Sequence, residues 1–260
     1  MTATKAMLTM VIPLAMSLAA EPAMAGFCAD SAGPDVLYCD DFSGSDPLSA
    51  YMVHNYGFPS ISVVDQQLQW VNNYGGGGVS AYVVNDASIP FRDTSFTTTV
   101  EFSTPGYLRS LMGIGYYASL SDPGNAAWML WALQLDEQNA YFIFYDGSHS
   151  VSIPTSASFA INTPYDIRLV VESSGQVSGY VDGGLVFQQT FDLSSFPTLM
   201  YPGFVGNAYG WLPETQIYTD AIARSIPELP TWTLLVVGFA ALGWASARRL
   251  KNRPTPMSLG

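Results

Sequence analysis

Between Tyr38 and Arg224 apolar and polar residues alternate with a period of two, the spacing of a β-strand whose successive side chains point to opposite faces. Tyr165, Ile167, Leu169 and Val171 fall on one face, and Asp166, Arg168 and Glu172 on the other. Phe96, Val100 and Phe102 share a face opposite Thr97, Thr99 and Glu101. Tyr141 to Tyr145 is apolar at nearly every position, which predicts a central strand covered on both sides. Ser173-Ser174-Gly175, Asp182-Gly183-Gly184, Asp122-Pro123-Gly124 and Asp146-Gly147 carry turn chemistry between such runs. In Ala127 to Leu135, Trp128, Trp131, Ala132 and Leu135 have helical spacing, but the preceding turn and the flanking strands predict another strand. Trp70, Trp128 and Trp131 are expected in the core. Many short strands with close-set turns predict an all-β sandwich or barrel.

Two segments break this pattern. Residues 1–25 place Lys5 before an apolar stretch, Ala6 to Ala20, and Ala23-Met24-Ala25 before Gly26. That order of charge, apolar run and small residues predicts a secretory signal peptide. At the other end, residues 227–232 lead into 17 uncharged residues, Thr231 to Ala247, followed by Arg248-Arg249-Leu250-Lys251-Asn252-Arg253. Such a run is at the short end of what spans a bilayer, with Trp232 and Trp244 near its two ends and a basic stop that stays cytoplasmic. The expected organisation is a signal peptide over 1–25, one folded domain over 26–226, a tail over 227–253 with its helix at 231–247, and a cytoplasmic end over 254–260.

The tail's three-part layout resembles the PEP-CTERM sorting tail of Gram-negative bacteria. Pro227, Glu228, Pro230 and Trp232 form the motif, with Leu229 where a second proline is usual, and Arg248 and Arg249 open the stop. The resemblance implies an exosortase-type processing enzyme as partner. It also implies a domain held in the periplasm on an inner-membrane helix and then sorted to the cell surface or the exopolysaccharide matrix.

Charge and cysteine content narrow the body. From residue 26 to 228 there are four cations, Arg92, Arg109, Arg168 and Arg224, against twenty acidic residues, a balance of −16. A surface of this sign repels phosphate backbones, so nucleic acid is not an expected partner. Cys28 and Cys39 are the only cysteines and flank the turn Ala32-Gly33-Pro34-Asp35. Without a metal-binding spacing or a neighbouring histidine, they predict a disulfide in an oxidising compartment.

Three stretches of the body resemble the concanavalin A-like lectin/glucanase superfamily in its laminin-G-like branch. Cys39-Asp40-Asp41-Phe42-Ser43-Gly44 is similar to the opening strand. Tyr165 to Val171 with Gly175 to Gly183 is similar to a hairpin ending in Tyr180-Val181-Asp182-Gly183. Thr215 to Ile222 is similar to a closing strand that lies beside the opening one. The resemblance implies a jelly-roll β-sandwich, and a structural calcium where Asp40 or Asp41 approaches Asp220, hard oxygen ligands that suit this ion.

Candidate chemistry is sparse. Related β-glucanases carry Glu-x-Asp-x-x-Glu on one strand, and no such string occurs here. Asp136 and Glu137 are adjacent and would face opposite ways, while His54 and His149 lack a partnered spacing. No catalytic residue is therefore expected. Two polar, glycine-bearing loops suit sugar binding through aromatic stacking and amide hydrogen bonds: one carries Asn72, Asn73 and Tyr74, the other Asn207, Tyr209 and Trp211. The expected function is a non-enzymatic matrix protein, carbohydrate-binding or structural. The alternative is a secreted polysaccharide-active enzyme with carboxylates scattered in sequence.

Overall fold

The computed structural model describes residues 27–58, 60–72, 78–103, 110–134, 139–158, 160–209 and 214–226. The expected signal peptide and the sorting tail, with Pro227, Glu228, Pro230, Trp232, Arg248 and Arg249, lie outside the described residues. No helix among the described residues is long and apolar enough to cross a membrane.

Sixteen strands are described, in two antiparallel sheets of eight. The first sheet runs β14 (Gly184–Thr190), β13 (Gln176–Val181), β12 (Tyr165–Val171), β7 (Thr94–Phe102), β16 (Glu214–Ser225), β4 (Gln67–Asn72) and β3 (Ser60–Val64), with β1 (Val36–Asp40) also paired to β16. The second runs β11 (Ser150–Ser158), β10 (Asn139–Tyr145), β9 (Trp128–Gln134), β8 (Leu111–Tyr117), β15 (Leu199–Tyr209), β5 (Gly78–Asn85) and β2 (Tyr51–Tyr56), with β6 (Ile89–Pro90) on β15. The chain is an all-β sandwich of the jelly-roll kind.

Alternation sets the inner faces. In β7 the inward positions Thr94, Phe96, Thr98, Val100 and Phe102 are all buried. In β12 it is Ile167, Leu169 and Val171, and β12 and β7 pair antiparallel with Leu169 opposite Phe96. Trp70, Trp131, Phe142, Phe204 and Tyr218 complete one contiguous core between the sheets. Asp182 and Gly183 both have positive φ, 48° and 75°, the conformation of a tight hairpin turn between β13 and β14.

The opening and closing strands lie side by side: Tyr38 pairs with Ala223, Cys39 with Ile222 and Asp40 with Ala221. Cys28, in the short helix α1 (Phe27–Asp30), and Cys39, in β1, form a disulfide with an S–S distance of 2.08 Å. Arg224 of β16 donates to Asp35 Oδ2 at 2.8 Å and to the Ser31 carbonyl at 2.9 Å, closing the same loop onto the last strand.

Two sequence expectations are corrected. Trp128 is not core; it is half-buried on the outer face of β9, three residues and so the opposite side from Trp131. Tyr141 to Tyr145 belongs to β10, next to the edge strand β11. It is apolar on both sides because Phe142 and Phe144 enter the core while Ile143 and Tyr145 join an apolar outer face.

Candidate functional site

The second sheet carries apolar and aromatic side chains on the face turned away from the core. Val83, Phe204, Tyr116, Trp131 and Phe142 point inward, so the alternating positions Tyr82, Val84, Val205, Tyr117, Trp128, Leu130 and Ile143 point out, and they form a second apolar cluster. Strand register lines up Tyr201, Tyr117, Trp128 and Tyr145 across four adjacent strands. The Trp128 and Tyr145 rings lie 5.9 Å apart, tilted by 40°.

Residues 118–127, joining β8 to β9, fold across this face. Leu120 packs on the outer cluster, and its carbonyl meets His54 Nε2 of β2 at 2.7 Å. Farther along, the Trp128 indole N–H donates to the Gly124 carbonyl at 3.4 Å. Within the loop the Asn125 amide donates to both Asp122 carboxylate oxygens, at 3.0 and 3.2 Å. This cover is why Tyr117 and Val84 are fully buried although they lie on the outer side of a sandwich. Burial drives the Tyr117 hydroxyl well above its ordinary range, helped by Tyr82 and Tyr218.

Between the loop and the β2–β5 edge is a cleft of about 290 Å³, lined by Tyr56, Ser80, Tyr82, Asp122, Gly124 and Asn125. Its two aromatic walls are nearly perpendicular, with ring centroids 6.2 Å apart and an 82° interplanar angle. Tyr82 is itself braced edge-on by Tyr117 at 5.8 Å. Two aromatic faces beside a carboxylate acceptor and an amide donor are the chemistry that holds a hydroxylated ring: stacking on its C–H face, hydrogen bonds to its hydroxyls.

The two loops singled out in the sequence leave one end of the sandwich together. Asn72 pairs with Glu214 in the first sheet and Gly78 with Tyr209 in the second, so the 73–77 and 210–213 connections start from neighbouring strands. Asn73, Tyr74 and Trp211 lie outside the described residues, as does the Tyr209 side chain. Asn72 is buried on the inward side of β4 and so is not presented to solvent. Asn207 pairs with Ser80 on the outer face, beside the cleft, and its Oδ1 is buried without a partner among the described residues.

A buried polar cluster that sequence inspection missed lies beneath the same end. Glu214 is 2 % exposed. Its Oε1 accepts from the Gln216 amide at 2.6 Å and its Oε2 from the Ser110 hydroxyl, yet burial outweighs both bonds and raises its pKa. A lone glutamate beside Pro213 offered no motif; its inward position follows only from pairing with β4.

The expected calcium donors are differently engaged. Asp40 turns inward, accepting from Phe42 N at 2.6 Å and the Tyr51 hydroxyl at 2.5 Å, and Tyr51 is in turn hydrogen-bonded to Tyr38. Burial raises the Asp40 pKa despite those bonds. Asp41 is held by the Ser43 amide and hydroxyl, which lower its pKa. Asp220 occupies a bulge of β16 at positive φ, and partial burial, then the charges of Asp41 and Asp166, raise its pKa. Asp41 thus approaches Asp220, but among the described residues no three His, Cys, Asp or Glu side chains converge as metal ligands.

Neither a protein-family profile nor any curated protein matches the sequence. Solved structures do match the fold. A carbohydrate-binding module, CBM66, from Bacillus subtilis aligns at 12 % identity and a TM-score of 0.51, over 66 % of this chain and 95 % of that one. A Bacillus subtilis protein of unknown function with a galectin-like fold aligns at 14 % and 0.54, over 74 % and 96 %. A prokaryotic β-1,3-1,4-glucanase (lichenase) from a mouse hindgut metagenome aligns at 12 % and 0.54, over 73 % and 99 %. At such identities the likeness shows a shared fold.

Proposed function

We propose that this chain is a non-catalytic carbohydrate-binding protein that holds a polysaccharide of the extracellular matrix in the cleft between residues 118–127 and the β2–β5 edge. The observation that carries the reading is the cleft itself: Tyr56 and Tyr82 as perpendicular walls with the Asp122–Asn125 pair beside them. The half-buried Trp128 and Tyr145 extend the aromatic surface across the sheet. Sharing a fold with a carbohydrate-binding module supports the ligand class. Glu214, the most deeply buried carboxyl described, sits between the sheets, on the far side of the second sheet from this cleft.

Export by the segment 1–25 and sorting by the tail 227–253 belong to the same proposal, with an exosortase-type enzyme as partner and the membrane as a station on the way. Replacing Pro227 and Glu228 by alanine should trap a folded protein in the inner membrane. Normal surface display of that variant would leave the tail an ordinary anchor.

The test of binding is titration of the full-length chain, in mild detergent, with soluble neutral β-glucans and a glycan panel. Tyr82→Ala should weaken the best ligand about tenfold, the loss of roughly one stacking contact and its buried area. Unchanged affinity in that variant, or no affinity across the panel, would remove the cleft from the account. Release of new reducing ends during the titration would instead favour the polysaccharide-active enzyme.

A further inference from the structure

The opposite face of the sandwich holds a second cleft with different chemistry. Of the four arginines between residues 26 and 228, two converge there. The space is about 360 Å³ and is lined by Asp35, Ser95, Arg168, Val170, Tyr180, Arg224, Ser225 and Ile226. The register places Arg168 opposite Tyr180 on β13, and puts Ser95 of β7 opposite both Val170 of β12 and Arg224 of β16. Ile167, Leu169 and Val171 fill the core, so Arg168 and Val170 face outward.

The two guanidinium groups are differently committed. Arg224 is fixed by Asp35 Oδ2 at 2.8 Å and the Ser31 carbonyl. Arg168 sits over the Tyr180 ring, 4.1 Å from its centroid, and has no hydrogen-bond or carboxylate partner among the described residues. The Ser95 and Tyr180 hydroxyls are likewise without partners among the described residues. A planar, pre-oriented fork of unused donors matches a carboxylate.

From this geometry we infer a binding site for a carboxylate-bearing sugar, a uronic acid unit of a polysaccharide, with Arg168 as its anchor. Two arginines against Asp35 leave the cleft one positive charge, which suits a monoanion and sets Asp35 against a dianionic phosphate. A bare carboxylate would leave most of the volume unfilled. A sugar ring would fill it, with Ser95, Ser225 and Tyr180 for its hydroxyls and Val170 and Ile226 for its C–H face. The remainder of the domain is strongly acidic, so an anionic glycan can be held only where such a local reversal of sign exists. The site is separate from the aromatic cleft, and either can stand without the other.

The experiment titrates the full-length chain with an oligogalacturonate and with its carboxyl-reduced neutral counterpart of equal length. The acid should bind and the reduced form should bind at least tenfold more weakly. Arg168→Gln should weaken the acid by about tenfold or more, the scale of a lost hydrogen bond to a charged group. Arg168→Lys, which keeps the charge and loses the fork, should fall between the two. Equal affinity for acid and reduced forms, affinity unaffected by Arg168→Gln in a variant with native melting behaviour, or tighter binding of a matched sulfated oligosaccharide would each overturn the assignment.

Discussion

Gly206 of β15 lies directly beneath the indole of Trp70 on β4, so the backbone of one sheet is in contact with the largest core ring of the other. Any Cβ at 206 would fall inside that ring, with Gln216 Oε1 close behind. Trp70 cannot retreat, because Phe58 and Tyr218 pack against it at 5.8 and 5.2 Å. Gly206→Ala should therefore lower stability by about 1–3 kcal/mol, the usual penalty of overpacking, seen as a reduced melting temperature with an unchanged far-ultraviolet spectrum. An unaltered melting temperature would mean that the two sheets can separate freely at this end.

Glu214 makes stability depend on pH in a defined sense. Its folded pKa is raised above the ordinary 4.5 by burial, so between those two values the folded chain keeps a proton that the unfolded chain has lost. Stability attributable to this group is then full below about pH 4.5 and falls as pH rises through the folded pKa. Glu214→Gln preserves the shape and both hydrogen-bond partners while removing the buried charge. It should melt higher than the native chain at pH 7 and coincide with it near pH 4. A lower melting temperature for the glutamine variant at pH 7 would show the ionised form to be the stabilising one.

The Cys28–Cys39 bridge closes an eleven-residue separation against the last strand. Replacing both cysteines by serine should cost roughly 2–3 kcal/mol, mostly by freeing the unfolded chain. Native protein treated with reductant should melt with the same loss. A much larger fall in the variant would mean that the Arg224–Asp35 contact depends on the bridge.

Chelation tests the calcium question directly. With Asp40 committed to Tyr51 and Phe42 N, and Asp41 to Ser43, melting curves in calcium and in chelator should coincide. A chelator-dependent fall would instead assign an ion to Asp41 and Asp220, whose proximity raises the Asp220 pKa.

Residues 118–127 depend on few fixed points. His54→Ala removes the contact with the Leu120 carbonyl and should speed amide exchange across Ala118–Ala127, while weakening glycan binding in the aromatic cleft. Faster exchange with unchanged binding would detach the loop from the ligand site.

The strands were legible because burial on one face writes itself into alternate residues, as in Thr94–Phe102 and Tyr165–Val171. The turn at Asp182-Gly183 was legible because positive φ at both positions selects residues tolerant of it. The candidate cleft was less so. Tyr56 and Tyr82 sit 26 positions apart in separate strands, and Asp122 and Asn125 read only as turn residues. The one trace was three-residue spacing: period two puts Trp128 and Trp131 on opposite faces, so both could not enter the same core.

By itself, then, the sequence determined what local physical chemistry can encode: two-residue periodicity, turns, a disulfide pair, an acidic surface and two terminal segments unlike the body. Those follow from each residue's own neighbours along the chain. Tertiary structure decided which distant residues meet, because strand pairing and register join positions up to 193 apart, as in Ser31 and Arg224. It buried Asn72 and Glu214, turned Asp40 from solvent to Tyr51, gathered tyrosines onto one outer face and brought Arg168 and Arg224 together on the other. A binding site is a property of such meetings, and no single strand contains one.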